Sequence, residues 1–216
     1  MAEADLRETI CRIGESLFRR GYVHGTTGNI SVRLQDGVLI TPTDACLGTL
    51  EPNTISKVGL DGRHESGARP SKTIVLHRRI YDADPSARCT IHTHSRHLVA
   101  ASMAGRDHYG DLLPPITPYF VMKVGHVPLI PYAAPGAPTT ADRVHAAITS
   151  AAEAGVPIRA VMLERLGPNV WHATPDGAMA VVEELEETAF LWNSVHPEPL
   201  CPEEVQELRE LFGARW

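Results

Sequence analysis

The chain has no apolar run approaching the roughly 18 to 20 residues that a bilayer-spanning helix needs. It also has no CxxC pair and no excess of basic residues. The first absence sets aside a helical membrane protein. Cys11, Cys46, Cys89 and Cys201 lie far apart, which points to reduced thiols in a cytoplasm rather than a disulfide frame. Twenty Lys and Arg stand against 26 Asp and Glu, a net charge of -6. A protein that neutralises phosphates through a general positive field normally runs basic, so nucleic acid is not an expected partner. The opening MAEADLRETI is acidic and polar, without the apolar core of a secretory signal. What is present is ordinary globular material. Hydrophobic residues make up 43% of the 216 and charged residues 21%, enough for one α/β domain over 1–216. That balance excludes a disordered tail, a coiled coil and a fibrous repeat.

Periodicity along the chain predicts alternating helices and strands. Leu6, Ile10, Ile13 and Leu17 mark a helix over 4–20, with Gly21 past its end. Strands are expected over Ile30 to Arg33 and Val38 to Thr41, joined through Gln35-Asp36-Gly37, and over Ser56 to Leu60 before a turn at Asp61-Gly62. Pro70 and Ser71 suit the start of a helix running to Tyr81. Cys89 to Thr93 reads as a buried strand followed by a helix over Arg96 to Ala104. The Pro- and Gly-rich stretch 105–140 is expected to hold short strands near Val121 and Val127. Thr139 or Thr140 is the expected cap of a helix reaching Glu153. Two strands, Ala160 to Leu163 and Asn169 to His172, flank a tight turn at Gly167-Pro168. Helices over Asp176 to Ser194 and from Pro202 to Phe212 complete the chain.

Ile91-His92-Thr93-His94 ends an apolar strand, and residues two apart on a strand share a face, so both imidazoles can reach one metal ion. Histidines at the carboxyl end of a strand, with a helix following, stand where α/β folds place ligands. The segment His24 to Ser31 joins a helix to a strand through two glycines and several hydroxyls. Its backbone N–H groups can form an anion nest, with Asn29 as a further donor. Ser66 to Lys72 places Ser71, Lys72 and free N–H groups at a helix start, where an anion gains from the helix dipole. Either stretch also serves as a plain turn or cap.

In chain order the strings GTTGNIS, ITPTDACLG, ARPSKTIVLH, IHTHS, ITPYFVMKVGHVPLIPYAAPG and VVEELEETAFLW resemble the class II aldolase/adducin family, and within it the 3-oxo-tetronate 4-phosphate decarboxylase branch. They span about 20 to 195. The resemblance implies a central β-sheet layered with helices, a three-layer α/β/α fold, and a homotetramer with active sites between subunits. It places His92 and His94 on the family's first two metal ligands, and Asn29, Thr43 and Ser71 on phosphate-contacting positions with Lys72 beside them. Tyr119 falls near a tyrosine that family aldolases supply from the neighbouring subunit.

Three positions depart from the family pattern. Thr73 stands where the family has its catalytic Glu, and a hydroxyl cannot serve as the general base that a carboxylate provides. Leu166 stands at the third histidine, and Asp44 replaces a glycine of the phosphate loop, where its charge opposes a phosphate. Glu164, His126, His97 or a neighbouring subunit's residue are alternatives for the missing ligand, and two histidines with Glu164 would resemble an iron facial triad. His77, on the helix face of Thr73, either replaces the base or packs beneath the sheet. The expected activity is that of a divalent-metal-dependent lyase of decarboxylase type, with zinc first and iron or manganese as alternatives. Its substrate is a small oxo or hydroxy acid or a sugar-acid phosphate, cleaved through a metal-stabilised enediolate, with Thr73 and Tyr119 as catalytic positions. Iron-dependent oxygenation and a non-catalytic binding role are the competing expectations, and neither nucleic acid nor membrane is an expected partner.

Overall fold

The structure, a computed structural model, describes residues 2–103 and 110–216. In chain order the elements are α1 (Glu3–Arg20), β1 (Asn29–Arg33), β2 (Gly37–Ile40), β3 (Ser56–Gly59), β4 (His64–Ser66) and α2 (Ile74–Ala83). There follow β5 (Cys89–His92), α3 (Arg96–Met103), β6 (Leu129–Ile130), α4 (Pro138–Glu153), β7 (Ala160–Leu163), β8 (Gly167–His172), α5 (Pro175–Val195) and α6 (Pro202–Phe212). The strands form one sheet in the order β4-β3-β2-β1-β5-β8-β7-β6. Every neighbouring pair is antiparallel except β6 with β7.

Strand alternation divides the apolar residues between two faces. Ile30, Val32, Cys89, Ile91, Ala160, Met162 and Val170 meet Leu6, Ile10, Ile13 and Leu17 of α1, Leu98 of α3 and Val182 and Leu185 of α5. Their alternates Val161, Leu163 and Trp171 pack with Ile80 and Tyr81 of α2 and Val144 and Ile148 of α4. The result is the expected three-layer arrangement. The α2 face is the more polar beneath its helix, and there it carries the residues of interest.

Several local expectations are corrected. Around Val121 the chain makes a π-helical turn, Phe120–Val124, in place of a strand. Thr117 Oγ1 accepts from the Phe120 N–H at 3.1 Å and starts the turn, and Gly125, at φ 79°, ends it. Val127 pairs with Leu112 only beside an isolated bridge, and the strand forms two residues later as β6. Helix α4 begins after Ala137, because Pro138 at the first helical position already has a helical φ, so Thr139 and Thr140 fall inside its first turn. Gly167 and Pro168 belong to β8, and the turn before them contains Arg165 at φ 64°. Helix α2 begins at Ile74, so Ser71 to Thr73 form a turn ahead of it. The expected end of α3 at Ala104 lies outside the described residues.

Candidate active site

Two glycines bring three chain segments together at the end of β5. At Gly167, φ 148°, a Cβ would collide with the Thr93 carbonyl oxygen, so only glycine lets β8 start against the residue after His92. At Gly28, φ 81°, a Cβ would lie 2.9 Å from the His92 carbonyl oxygen, which brings the loop before β1 to the same place. The His94 N–H donates to the Tyr22 carbonyl at 3.1 Å and ties the loop down.

His92 ends β5 with 5% exposure, and His94 is half-buried in the loop that follows. Their ring centroids are 5.0 Å apart. Two imidazoles bound to one tetrahedral ion, with metal–nitrogen bonds of about 2.1 Å, also place their centroids about 5 Å apart. His92 Nδ1 donates to the Pro168 carbonyl at 2.8 Å, which leaves Nε2 as the bare, ligating nitrogen of the neutral ring. Burial, with His94 as a lesser cause, pushes His92 down to about 3. Burial and then His24 hold His94 below the usual imidazole range. Both rings are therefore neutral at physiological pH, the form a metal needs. The exposed His24, which sequence reasoning did not single out, has its ring centroid 6.3 Å from that of His94.

The anion-binding expectations converge on the neighbouring edge. Asn29 begins β1 directly opposite His92 and is buried. The Thr43 N–H donates to the Arg69 carbonyl and the Ser71 N–H to the Thr41 carbonyl, at 2.9 and 3.2 Å, so Thr43 and Ser71 lie on paired segments. Ser71 Oγ is 2.8 Å from Thr73 Oγ1, with Thr73 as N-cap of α2 and Lys72 exposed between them. Asp44 is exposed and holds φ 56°, a left-handed conformation that glycine adopts most readily and Asp tolerates. Tyr119 is 61% exposed on the rim of the π turn. Among the described residues no hydrogen bond or ring contact joins it to the histidines.

The alternatives for a third ligand are engaged elsewhere. Glu164 Oε2 accepts from the Tyr132 N–H at 2.8 Å. His126 Nδ1 is 2.5 Å from Asp111 Oδ2, with its ring stacked on Trp216. His97 Nδ1 is 2.9 Å from Glu186 Oε1. Leu166 lies against the apolar cluster beneath α2 and α4. Among the described residues no group of three His, Cys, Asp or Glu is placed to hold an ion.

His77 packs beneath the sheet, fully buried, with Nδ1 2.7 Å from Ser31 Oγ, which is itself 2.7 Å from the Tyr81 hydroxyl. Burial pushes His77 down to about 3, with His92 as a second cause. Sequence reasoning missed Ser31, Tyr81 and Asn169, all on this face. Asn169 stands opposite His92 on β8 with zero exposure, and neither its Oδ1 nor its Nδ2 has a hydrogen-bond partner. Its only signal in the sequence is a carboxamide between the apolar Pro168 and Val170. A cavity of about 350 Å³, lined by Asp84, Arg159, Trp171, His172 and Arg215 among others, opens at the other end of β8. No predicted site residue lines it.

A sheet layered with helices, carrying a histidine pair at a strand end beside Asn29 and the Thr43 and Ser71 segments, is the architecture of a class II aldolase. The chain matches the family described as Class II Aldolase and Adducin N-terminal domain over residues 8–192, and it belongs to that family. It is 53% identical over 221 residues to the 3-oxo-tetronate 4-phosphate decarboxylase of Cupriavidus necator, covering 99% of each chain. The crystal structure of YgbL from Escherichia coli superposes with a TM-score of 0.85 at 37% identity, covering 97% of this chain and all of that one. The L-fuculose-1-phosphate aldolase of Thermus thermophilus gives 0.73 at 26% identity, over 92% of this chain and all of that one. Decarboxylases and aldolases both cleave carbon–carbon bonds, and this chain stands among the family's carbon–carbon lyases. No helix of the described residues is long and apolar enough to cross a membrane.

A divalent ion is the group this family implies. The ring spacing, the neutral charge and the fixed Nδ1–H of His92 fit two of its ligands.

Proposed function

We propose that this chain is a divalent-metal-dependent decarboxylase of a small phosphorylated 3-oxo acid, working as a cytoplasmic homotetramer. The observation that carries it is the His92–His94 pair at 5.0 Å, with Asn29 directly opposite His92 on β1 and Thr43 and Ser71 on the two paired segments that follow β2 and precede α2. The Asn29 carboxamide, the Thr43 and Ser71 hydroxyls and the Lys72 ammonium bind the phosphate and so orient the oxo acid along the β1–β5 edge. Asp44 opposes a dianion there and weakens that grip.

Decarboxylation is favoured over aldol cleavage by what stands at Thr73. Loss of carbon dioxide breaks the bond between the carboxylate carbon and its neighbour. The electron pair moves onto the adjacent carbonyl oxygen and gives an enediolate, with no proton removed at that step. A divalent ion held by His92 and His94 supplies the Lewis acidity that favours negative charge on that oxygen. A general base is dispensable, and Thr73 Oγ1 serves as a hydrogen-bond donor beside Ser71. The enediolate then takes a proton at carbon, for which the Tyr119 hydroxyl of a neighbouring copy is the donor.

The experiment is carbon dioxide release from 3-oxo-tetronate 4-phosphate by the chelated and the metal-restored enzyme, with metal content by elemental mass spectrometry. Metal-dependent release that falls at least a hundredfold in the His92→Ala/His94→Ala double variant is the expected result. Equal release without metal, or in the double variant, would sink the proposal.

A further inference from the structure

We propose that the Asn169 carboxamide oxygen is the third protein ligand of the ion held by His92 and His94, giving a set of two nitrogens and one oxygen. The inference rests on the metal-dependent reading above and names the donor that reading leaves open. His92 and Asn169 are directly opposite each other on β5 and β8. The next pair along is closed by the Thr93 N–H donating to the Pro168 carbonyl, so His92 and Asn169 form a non-hydrogen-bonded pair, whose side chains lie closest. Cβ atoms in such a pair are about 4.5 to 5.5 Å apart. Both side chains stand on the α2 face, since Val170 belongs to the opposite cluster and Trp171 to the α2 one. The carbonyl that fixes the His92 ring is that of Pro168, the residue before Asn169, so ring and carboxamide are held by one strand.

Among the described residues, Asn169 is the fully buried carboxamide on this face with both Oδ1 and Nδ2 unpaired. A buried carboxamide with both heteroatoms unpaired is costly, and folded proteins rarely carry one without a partner. Thr90 Oγ1 and His77 Nε2, on the same layer, are also unpaired, but among the described residues Asn169 alone leaves both of its heteroatoms without a partner. Asn29 Oδ1 is unpaired too, but Asn29 stands on β1, on the other side of His92, and is already assigned to the phosphate in the proposed function. Carboxamide oxygen is a harder donor than imidazole and suits manganese, magnesium or iron(II) better than a third nitrogen does. The expected preference is thus moved from zinc toward manganese.

The test is titration of the chelated protein with Mn²⁺ and with Zn²⁺ by calorimetry, in wild type, Asn169→Val, Asn169→Asp and His92→Ala/His94→Ala. Asn169→Val is expected to weaken Mn²⁺ binding at least tenfold and Zn²⁺ binding less, while the metal-free melting temperature stays level or rises because an unpaired amide has gone. Asn169→Asp, adding charge to the same oxygen, is expected to tighten Mn²⁺ tenfold or more. Wild-type Mn²⁺ affinity in both Asn169 variants, with binding abolished in the histidine variant, would overturn this ligand and leave the metalloenzyme intact. Binding alike in wild type and the histidine variant would overturn both. If Asn169→Val does not fold, Asn169→Ala takes its place beside Asn169→Asp.

Discussion

His77 and His92 are held neutral by burial, and both are pushed down to about 3 from an ordinary imidazole value near 6.5. Between those values the unfolded chain binds protons that the folded chain refuses, so stability is complete above about pH 6.5 and is lost as pH falls toward 3. For His77 alone the loss at pH 5 is on the order of 2 kcal/mol, since each unit of displacement is worth about 1.4. The urea midpoint of the metal-free protein should therefore fall between pH 7 and pH 5. His77→Gln should be less stable at pH 7, having lost its bond to Ser31, but should show the shallower acid slope. Equal slopes in the two proteins would remove His77 as a cause. At this scale the site was only half legible. The two-residue spacing of His92 and His94 predicts neighbouring imidazoles on one strand face; the rings are neighbours at 5.0 Å, although β5 ends at His92 and His94 lies in the loop after it. Nothing in the sequence says that Asn169 lies opposite His92, because that depends on the register of β5 against β8, set 77 residues apart.

Helix α3 follows directly from the loop that carries His94, and its start is fixed from another layer. Glu186 on α5, 4% exposed, accepts from the His97 N–H at 3.1 Å, the Leu98 N–H at 3.1 Å and His97 Nδ1 at 2.9 Å. One carboxylate thus satisfies two orphan amides at a helix N-terminus, where its charge also meets the favourable end of the dipole. Glu186→Ala should cost about 2 to 4 kcal/mol, the sum expected for a lost cap and several bonds to a charged group. Thermal unfolding checks this, and a change under about 0.5 kcal/mol would show that water replaces the carboxylate. The element itself was legible, with Glu186 on the inner face of a strong helix, but its partner was not. The same limit explains the other misreadings. Periodicity finds α1, β5, β7 and α5, whose apolar patterns are long or plain. It mistakes the π turn at Phe120–Val124 for a strand, since five residues with Phe, Val and Val satisfy either, and a hydroxyl at Thr117 decides.

Tyr119 is best understood on the scale of the assembled molecule. It is 61% exposed on the rim of the π turn, while the histidine pair lies at the end of β5 near the middle of the sheet. A tyrosine so placed can serve the site of an adjoining copy across a head-to-tail interface, the kind that closes into a ring. If, in the proposed homotetramer, each site combines His92 of one copy with Tyr119 of its neighbour, then the Tyr119→Phe and His92→Ala proteins are each impaired for a different reason. Unfolding and refolding the two together in equal amounts should restore about a quarter of the sites, the fraction drawing both intact residues in a random ring. Native mass spectrometry would verify that mixed tetramers have formed, and carbon dioxide release would report the recovered activity. Activity in the mixture no higher than the mean of the two separate variants, with mixed tetramers present, would place Tyr119 outside the shared site. Recovery near a quarter would also explain why a reactive side chain stands exposed on the surface of an isolated chain.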